Sequence, residues 1–124
     1  MTNVWQLPAI GRWEKSCGKH PTQKPLGLLA RLIQASTQPE AWILDPFNGS
    51  ATTGIAANLL GRKYLGLEIE NEFLSMSKAR REEIGNIAIR SDYLERLAKA
   101  KIILPHSNFF VADEPDINYG VPWL

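Results

Sequence analysis

Residues 42–70 read WILDPFNGSATTGIAANLLGRKYLGLEIE. Ile43 and Leu44 carry a short apolar strand to Asp45. The loop Asn48-Gly49-Ser50-Ala51-Thr52 then turns the chain, and its small residues let backbone amides come close to a ligand. A helix follows over about 52–60, with Ile55, Ala56 and Leu59 on one face and Gly61 placed to end it. From Tyr64 to Ile69 the apolar Leu65, Leu67 and Ile69 alternate with Gly66, Glu68 and Glu70, the period of a strand. Glu68 thus falls near the carboxyl end of a second strand, where an acid can hold both hydroxyls of a ribose. Strand, glycine loop, helix, strand and acid in that order describe a nucleotide-type cofactor site in an α/β fold. An ordinary β-α-β unit whose glycines serve only turns shares much of the pattern.

Outward from this stretch, composition sets the bounds. The 124 residues suffice for one domain with one core, and 44% hydrophobic with 22% charged residues is ordinary for a globular protein. A net charge of +1 demands neither nucleic acid nor membrane as a partner. The first third is locally basic, however: Arg12, Lys15, Lys19, Lys24 and Arg31 are opposed only by Glu14, which suits a solvated face or phosphate contacts. A single cysteine, Cys17, excludes an internal disulfide, fits a reducing cytoplasm and reads as a spare structural residue. No apolar run approaches the roughly 20 residues of a membrane span, and no secretory leader is visible.

Residues 1–17 form an expected extended arm that lays Trp5, Leu7, Ile10 and Trp13 on a core, with apolar surface left to meet another chain. Gly18 to Pro25, GKHPTQKP, is a loop stiffened by two prolines, and Lys24 puts an ammonium at the head of a helix, well placed for a carboxylate. His20 reads as a satisfied loop histidine. The helix beginning near Pro25 is expected to bury Leu28, Leu29 and Leu32, flanked by Leu26 and Ile33. After Glu70, a helix over about 72–84 places Phe73, Met76 and Ala79 inward and a charged stripe, Arg80 included, outward. Residues 86–91 suggest a third short strand from the alternation of Ile87 and Ile89, and Asp92 is a cap for a further helix to about Lys101. The core is expected to span 18–91, with a helix and an irregular aromatic tail over 92–124.

Together, HPTQKP ahead of a helix, LDPFNGSATTG and YLGLEIE resemble the C-terminal half of the β-class DNA amino-methyltransferases, over roughly Val4 to Ile84. Members of that family transfer methyl from S-adenosylmethionine to adenine N6 or cytosine N4. The three blocks resemble the family's motifs X, I and II. The resemblance implies part of a Rossmann-like S-adenosylmethionine-dependent fold. It implies that Asp45, Pro46, Phe47, Gly49, Ser50 and Thr52 line the cofactor pocket, that Glu68 holds the ribose, and that Thr22, Gln23 and Lys24 lie near the methionine end.

Two departures stand out. The family usually has glycine where this chain has Ala51, and a methyl group at a close-approach or positive-φ position is expected to weaken cofactor binding or shift the loop. The second concerns chemistry. The family holds the amine of a flipped-out base with a [DNS]-P-P-[YFW] block, and no Pro-Pro pair occurs in these 124 residues. Asp113-Glu114-Pro115-Asp116 lacks the second proline and the aromatic. No catalytic residue and no metal site are therefore assigned. The expected function is the cofactor-binding half of a split or truncated DNA methyltransferase, inactive alone. A second polypeptide or a second copy would complete the fold and bring in DNA, and the half sheet is expected to expose an edge and apolar surface. The alternatives are a non-catalytic S-adenosylmethionine-binding remnant or regulatory module, and a dinucleotide-binding fragment. The last is suggested by Gly49-x-Ala51-x-x-Gly54 with Glu68 downstream, and opposed by GKHPTQKP and the DPF lead-in.

Overall fold

The computed structural model describes residues 4–102. In chain order these form a 3-10 turn over Arg12–Lys15, α1 (Leu26–Ser36), β1 (Trp42–Asp45), α2 (Thr52–Leu59), β2 (Lys63–Gly66), α3 (Asn71–Glu83) and α4 (Ile87–Lys99). The two strands pair in parallel with Trp42 opposite Lys63 and Asp45 opposite Gly66, and α2 makes the crossover between them. The chain is thus a small α/β domain built on one β-α-β unit. None of its helices among the described residues is long and apolar enough to cross a membrane.

Helix α2 ends as its sequence requires. Gly61 takes φ 70° just past the last turn. The Arg62 amide then reaches back to the Ala57 carbonyl at 2.8 Å and the Gly61 amide to Asn58 at 3.2 Å, a Schellman closure. The second strand stops earlier than expected, at Gly66 rather than Ile69. Leu67 still bonds Asp45, but its carbonyl is taken by the Asn48 amide, and the Glu68 carboxylate collects the amides of Ile69 and Glu70. Local side-chain bonding there replaces the ladder and turns the chain into α3.

The core lies on one side of the sheet, where Leu26, Ala30 and Ile33 of α1 meet Ile55, Ala56 and Leu59 of α2, with Ile84, Tyr93 and Leu97 closing it. Ile43 and Tyr64 pack against it from the sheet. The α1 face is rotated from expectation: Leu26 and Ile33 are buried rather than flanking, Leu28 and Leu29 are half-buried, and Leu32 is exposed. Helix α2 is buried almost all round instead of on one face, because sheet, α1 and polar side chains from α3 and α4 surround it. On the opposite face of the sheet nothing among the described residues covers Trp42, 62% exposed, or Leu44, 61% exposed. The Lys63 ammonium merely hovers 6.0 Å from the Trp42 ring.

Four expectations beyond the central unit fail. Residues 87–91 are the first turns of α4, not a strand. Asn86 caps the helix by accepting from Ala88 at 2.9 Å and Ile89 at 3.3 Å, which an alternation of only two isoleucines cannot outweigh. Asp92 is accordingly no cap but a mid-helix partner of Arg96 at 2.7 Å, and α4 runs unbroken across residues 91 and 92. In α3 the inward residues are Met76, Ser77 and Arg80, whereas Ala79 is exposed. The arm is not wholly extended either, because its 3-10 turn buries Glu14. That carboxylate accepts from Gly11 at 3.1 Å and from Leu26 at 2.7 Å, so the arm supplies a negative charge to the start of α1. Trp13 stands edge-on to Tyr93 at 4.8 Å and is half-buried against the core. The irregular tail expected over 104–124 lies outside the described residues.

Arg80 fixes α3 against the unit. Only 3% exposed, its Nη1 donates to the Ser50 carbonyl at 2.7 Å, the Thr52 hydroxyl at 3.0 Å and the Ser50 hydroxyl at 3.1 Å. Arg80→Ala should cost about 3 kcal/mol in urea unfolding, since it strands buried acceptors and opens a cavity. The exposed Lys78→Ala on the same helix should stay within about 0.5 kcal/mol of the parent, and equal losses for the two would refute the buried pin. At Gly61 a Cβ meets nothing within 4 Å. Gly61→Ala should therefore show backbone strain alone, about 1 kcal/mol by the same assay, and an unchanged midpoint would contradict the left-handed cap.

Candidate functional site

The carboxyl ends of β1 and β2, the loop between β1 and α2, the 18–25 loop and the start of α3 meet at one corner of the domain. Asp45 ends β1, and its Oδ1 accepts the Phe47 amide at 3.0 Å, a local turn that lifts Pro46 and Phe47 into solvent. Phe47 is 89% exposed. Two residues of the loop, Gly49 at φ 53° and Ala51 at φ 60°, are left-handed. Ala51 does occupy a positive-φ position, as its place in the motif suggested, and its side chain is buried. The strain is on the order of 1–2 kcal/mol. The loop nonetheless closes, with the Ala51 amide on Asn48 at 2.9 Å and the Ile55 amide on the Ala51 carbonyl at 2.9 Å.

Asn48 carries the loop. Its Nδ2 donates to the Ser77 hydroxyl at 2.8 Å and the Gly49 carbonyl at 3.2 Å, while Oδ1 accepts from the Tyr64 phenol at 2.6 Å. A Cβ at Gly66 would collide with Asn48 Oδ1, so glycine there admits the amide. Burial first, then the Asp45 charge, pushes the Tyr64 phenol upward, so it remains a proton donor at any physiological pH.

Glu68 stands two residues beyond β2. Its Oε2 accepts the Gly49 amide at 2.7 Å, and its Oε1 accepts the amides of Ile69 and Glu70, each at 2.9 Å. The Glu70 amide above all, then those of Gly49 and Ile69 and the charge of His20, hold this carboxyl below the usual glutamate range against a smaller opposing effect of burial. Beside it Ile69 is 94% exposed. His20 faces the same corner, its ring 4.1 Å from that of Phe73.

The residues expected in the site therefore separate into groups. Asp45, Pro46, Phe47, Gly49 and Glu68 lie at the carboxyl ends of the strands, joined by the Phe47 amide on Asp45 and the Gly49 amide on Glu68. Ser50 and Thr52 are buried behind the loop, their hydroxyls turned to Arg80. Thr22 and Lys24 are exposed, and the Lys24 ammonium folds back on the Thr22 carbonyl at 2.8 Å. Gln23 points away into the arm, donating to the Glu14 carbonyl at 2.8 Å. Cys17 is half-buried, and burial, then the Glu83 carboxylate, pushes its thiol up, which suits an inert structural role. Motif reading missed Asn48, Ile69, Ser77 and Arg80. Phe73, Ser77 and Arg80 do share a helical face in sequence, but polar residues on such a stripe gave no reason to turn it inward.

A family model described as DNA methylase, N6_N4_Mtase, matches residues 1–79. The type II methyltransferase M2.MboI of Moraxella bovis is 55% identical over 97 residues, which cover 78% of this chain and 35% of that protein. M2.DpnII of Streptococcus pneumoniae is 49% identical over 82 residues, covering 66% of this chain and 31% of its own. The DNA adenine methyltransferase YhdJ of Escherichia coli is 43% identical over 100 residues, covering 80% and 32%. Among solved structures, the complex of M1.HpyAVI with SAM aligns at a TM-score of 0.49 with 47% identity, over 50% of this chain and 30% of that one. The chain spans about a third of the length of the relatives it matches. On the match over residues 1–79, this chain belongs to the DNA methylase family.

Proposed function

We propose that this chain binds S-adenosylmethionine and serves as the cofactor-holding portion of a DNA amino-methyltransferase. The observation that carries the reading is the Glu68 carboxylate clasped to the Gly49 amide at the open end of the β-α-β unit. An ionised, partly exposed carboxylate beside a glycine loop suits a ribose, and the exposed Phe47 and Ile69 near it offer apolar surface to a purine. The fit has one constraint. A carboxylate has about four acceptor sites, and backbone amides occupy three here. One ribose hydroxyl docks on Glu68 as it stands, and a second needs another partner or release of the Gly49 amide. When bound, the cofactor would supply the methyl group. The chain's own part is to orient it.

The amine-holding block and the DNA contacts are assigned to residues outside these 124. Support comes from the lack of a Pro-Pro pair in these residues and from the uncovered sheet face around Trp42 and Leu44, since parallel sheets are stable with both faces covered. A non-catalytic module remains the competing reading. It predicts cofactor binding without methyl transfer in any mixture.

Calorimetric titration should give saturable binding of S-adenosylmethionine and none of NAD. Glu68→Gln should weaken that binding at least roughly tenfold, because hydrogen bonds to a charged acceptor are the stronger kind. The folded pKa of Glu68 is depressed, so its contribution is complete above the ordinary value of 4.5 and is lost only as pH falls below it. Affinity should accordingly be flat from neutral pH down to about pH 5. A loss of binding between pH 7 and pH 5 would trace to a group other than Glu68, whereas parent-like binding by Glu68→Gln would remove Glu68 from the site. Methyl transfer to DNA by the purified chain alone would overturn the assignment of catalysis to residues outside these 124.

A further inference from the structure

Helix α4 ends in a left-handed turn made by Lys101, at φ 54°. The Lys101 amide bonds the Ala98 carbonyl at 2.9 Å and the Ile102 amide bonds Leu97 at 3.0 Å, a Schellman closure. Arg31 Nη2 reaches the Lys101 carbonyl at 3.4 Å and steadies the turn from α1. A side chain is unfavourable in that conformation, and the seat of Ile102 is what holds it. Ile102 is buried where Gly27 leaves room: a Cβ on Gly27 would collide with Ile102 Cδ1, and Leu7 Cδ2 lies 4.0 Å from the same point. The chain therefore leaves α4 in a fixed position, between α1 and the arm.

Beside this exit runs a groove of about 380 Å³, with Leu7, Pro8 and Trp13 of the arm on one wall and Leu97 and Ile102 on the other. Glu14 also lines it, but its carboxylate is already taken up by the Gly11 and Leu26 amides. Arg96 and Lys99 stand at the edge, held only by exposed pairs with Asp92 and Glu95, each at 2.7 Å. Such pairs contribute little, so both cations are free to meet further negative charge. No backbone hydrogen bond among the described residues engages residues 5–10, which leaves main-chain groups for an adjoining segment.

Residues 103–124 follow directly on Ile102, and their chemistry complements the groove. They contain Phe109-Phe110-Val111, the acids Asp113, Glu114 and Asp116, and no lysine or arginine. The rest of the chain carries all 14 basic residues against 10 acidic ones. Phe109 is seven residues past Ile102, a span of at most about 25 Å, so its ring can reach any part of the groove. So short a tether gives an effective concentration on the order of millimolar, which favours the chain's own tail over a second copy. We propose that Phe109 and Phe110 seat in this groove, with the main chain beside them bonded to residues 5–10 and the acids facing Arg96 and Lys99. The tail then clamps the arm that delivers Glu14 to the start of α1. Nothing in this contact depends on the cofactor reading.

Amide hydrogen exchange of the full chain, followed by NMR, reads the contact. The amides of Gln6, Leu7, Ala9 and Ile10 should exchange at least roughly tenfold more slowly than those of a free chain. The double variant Phe109→Ser, Phe110→Ser should lose that protection while Ile55 and Leu59 in α2 keep theirs. In the parent, nuclear Overhauser contacts should join the Phe109 or Phe110 ring to the Leu7 methyls. Arm protection that is absent from the parent, or that survives in the double variant, overturns the proposal. So does protection that rises with protein concentration, which would give the groove to a second copy. Should the double variant lose α2 protection as well, the Overhauser contacts of the parent decide, and their absence refutes the clamp.

Discussion

A guanidinium buried beneath a backbone loop is the constraint on which the rest of this structure depends. Arg80 is almost wholly out of water, and burial is the largest influence on it, pulling its pKa down. The carboxylates of Glu14 and Glu83 oppose that pull, so the arm and the end of α3 take part in keeping the cation inside. A desolvated charge is costly unless its hydrogen bonds are made; Nη1 of Arg80 makes three, to Ser50 and Thr52 at the start of α2, whereas its buried Nη2 has no partner among the described residues. The arginine thereby ties the loop to α3 and brings both within the field of the arm.

This tie explains why Ala51 is tolerated. A left-handed alanine is unfavourable by itself, yet the neighbouring residues on either side are held by more bonds than the loop needs for closure. Asn48 adds a second anchor, joining Tyr64 of β2 to Ser77 of α3. Strain of this size persists where its surroundings over-determine it. The consequence for the site is a division of labour within a few residues. Ser50, Thr52, Asn48 and Arg80 give the loop its shape from behind, and Gly49 and Glu68 face the open side.

The sequence made the central unit legible because period, loop chemistry and cap all agreed there. Leu65 and Leu67 alternate, Gly61 stops α2, and Glu68 follows the strand. Legibility failed where only one signal was present. Ile87 and Ile89 alternate for too few residues to outweigh the cap at Asn86, so a helix replaced the expected strand. Arg80 was placed outside because arginine seldom goes inside, and its partners, about thirty positions away in the chain, cannot be seen from its neighbours. The same long-range dependence turned Gln23 toward Glu14 instead of the strand ends. Most of the motif residues gather in one region, while the direction of each side chain was decided by contacts the motif does not encode.

Under the proposed division, the cofactor site would draw on one side of the sheet alone. Glu68, Gly49, Phe47 and His20 are positioned by segments that pack on a single core, on one side of the sheet. Nothing in that arrangement draws on the other side, where Trp42 and Leu44 stand in solvent and the strand pair has open edges. A cleft at the carboxyl ends of parallel strands is bounded by loops from both directions, and the described residues supply one set of them. Covering the bare face would bury two large apolar side chains, each worth roughly 1.5–3 kcal/mol when fully withdrawn from water. That gain belongs to whatever supplies the second face, so under the proposed division the segment that brings the chemistry also brings part of the stability this half lacks.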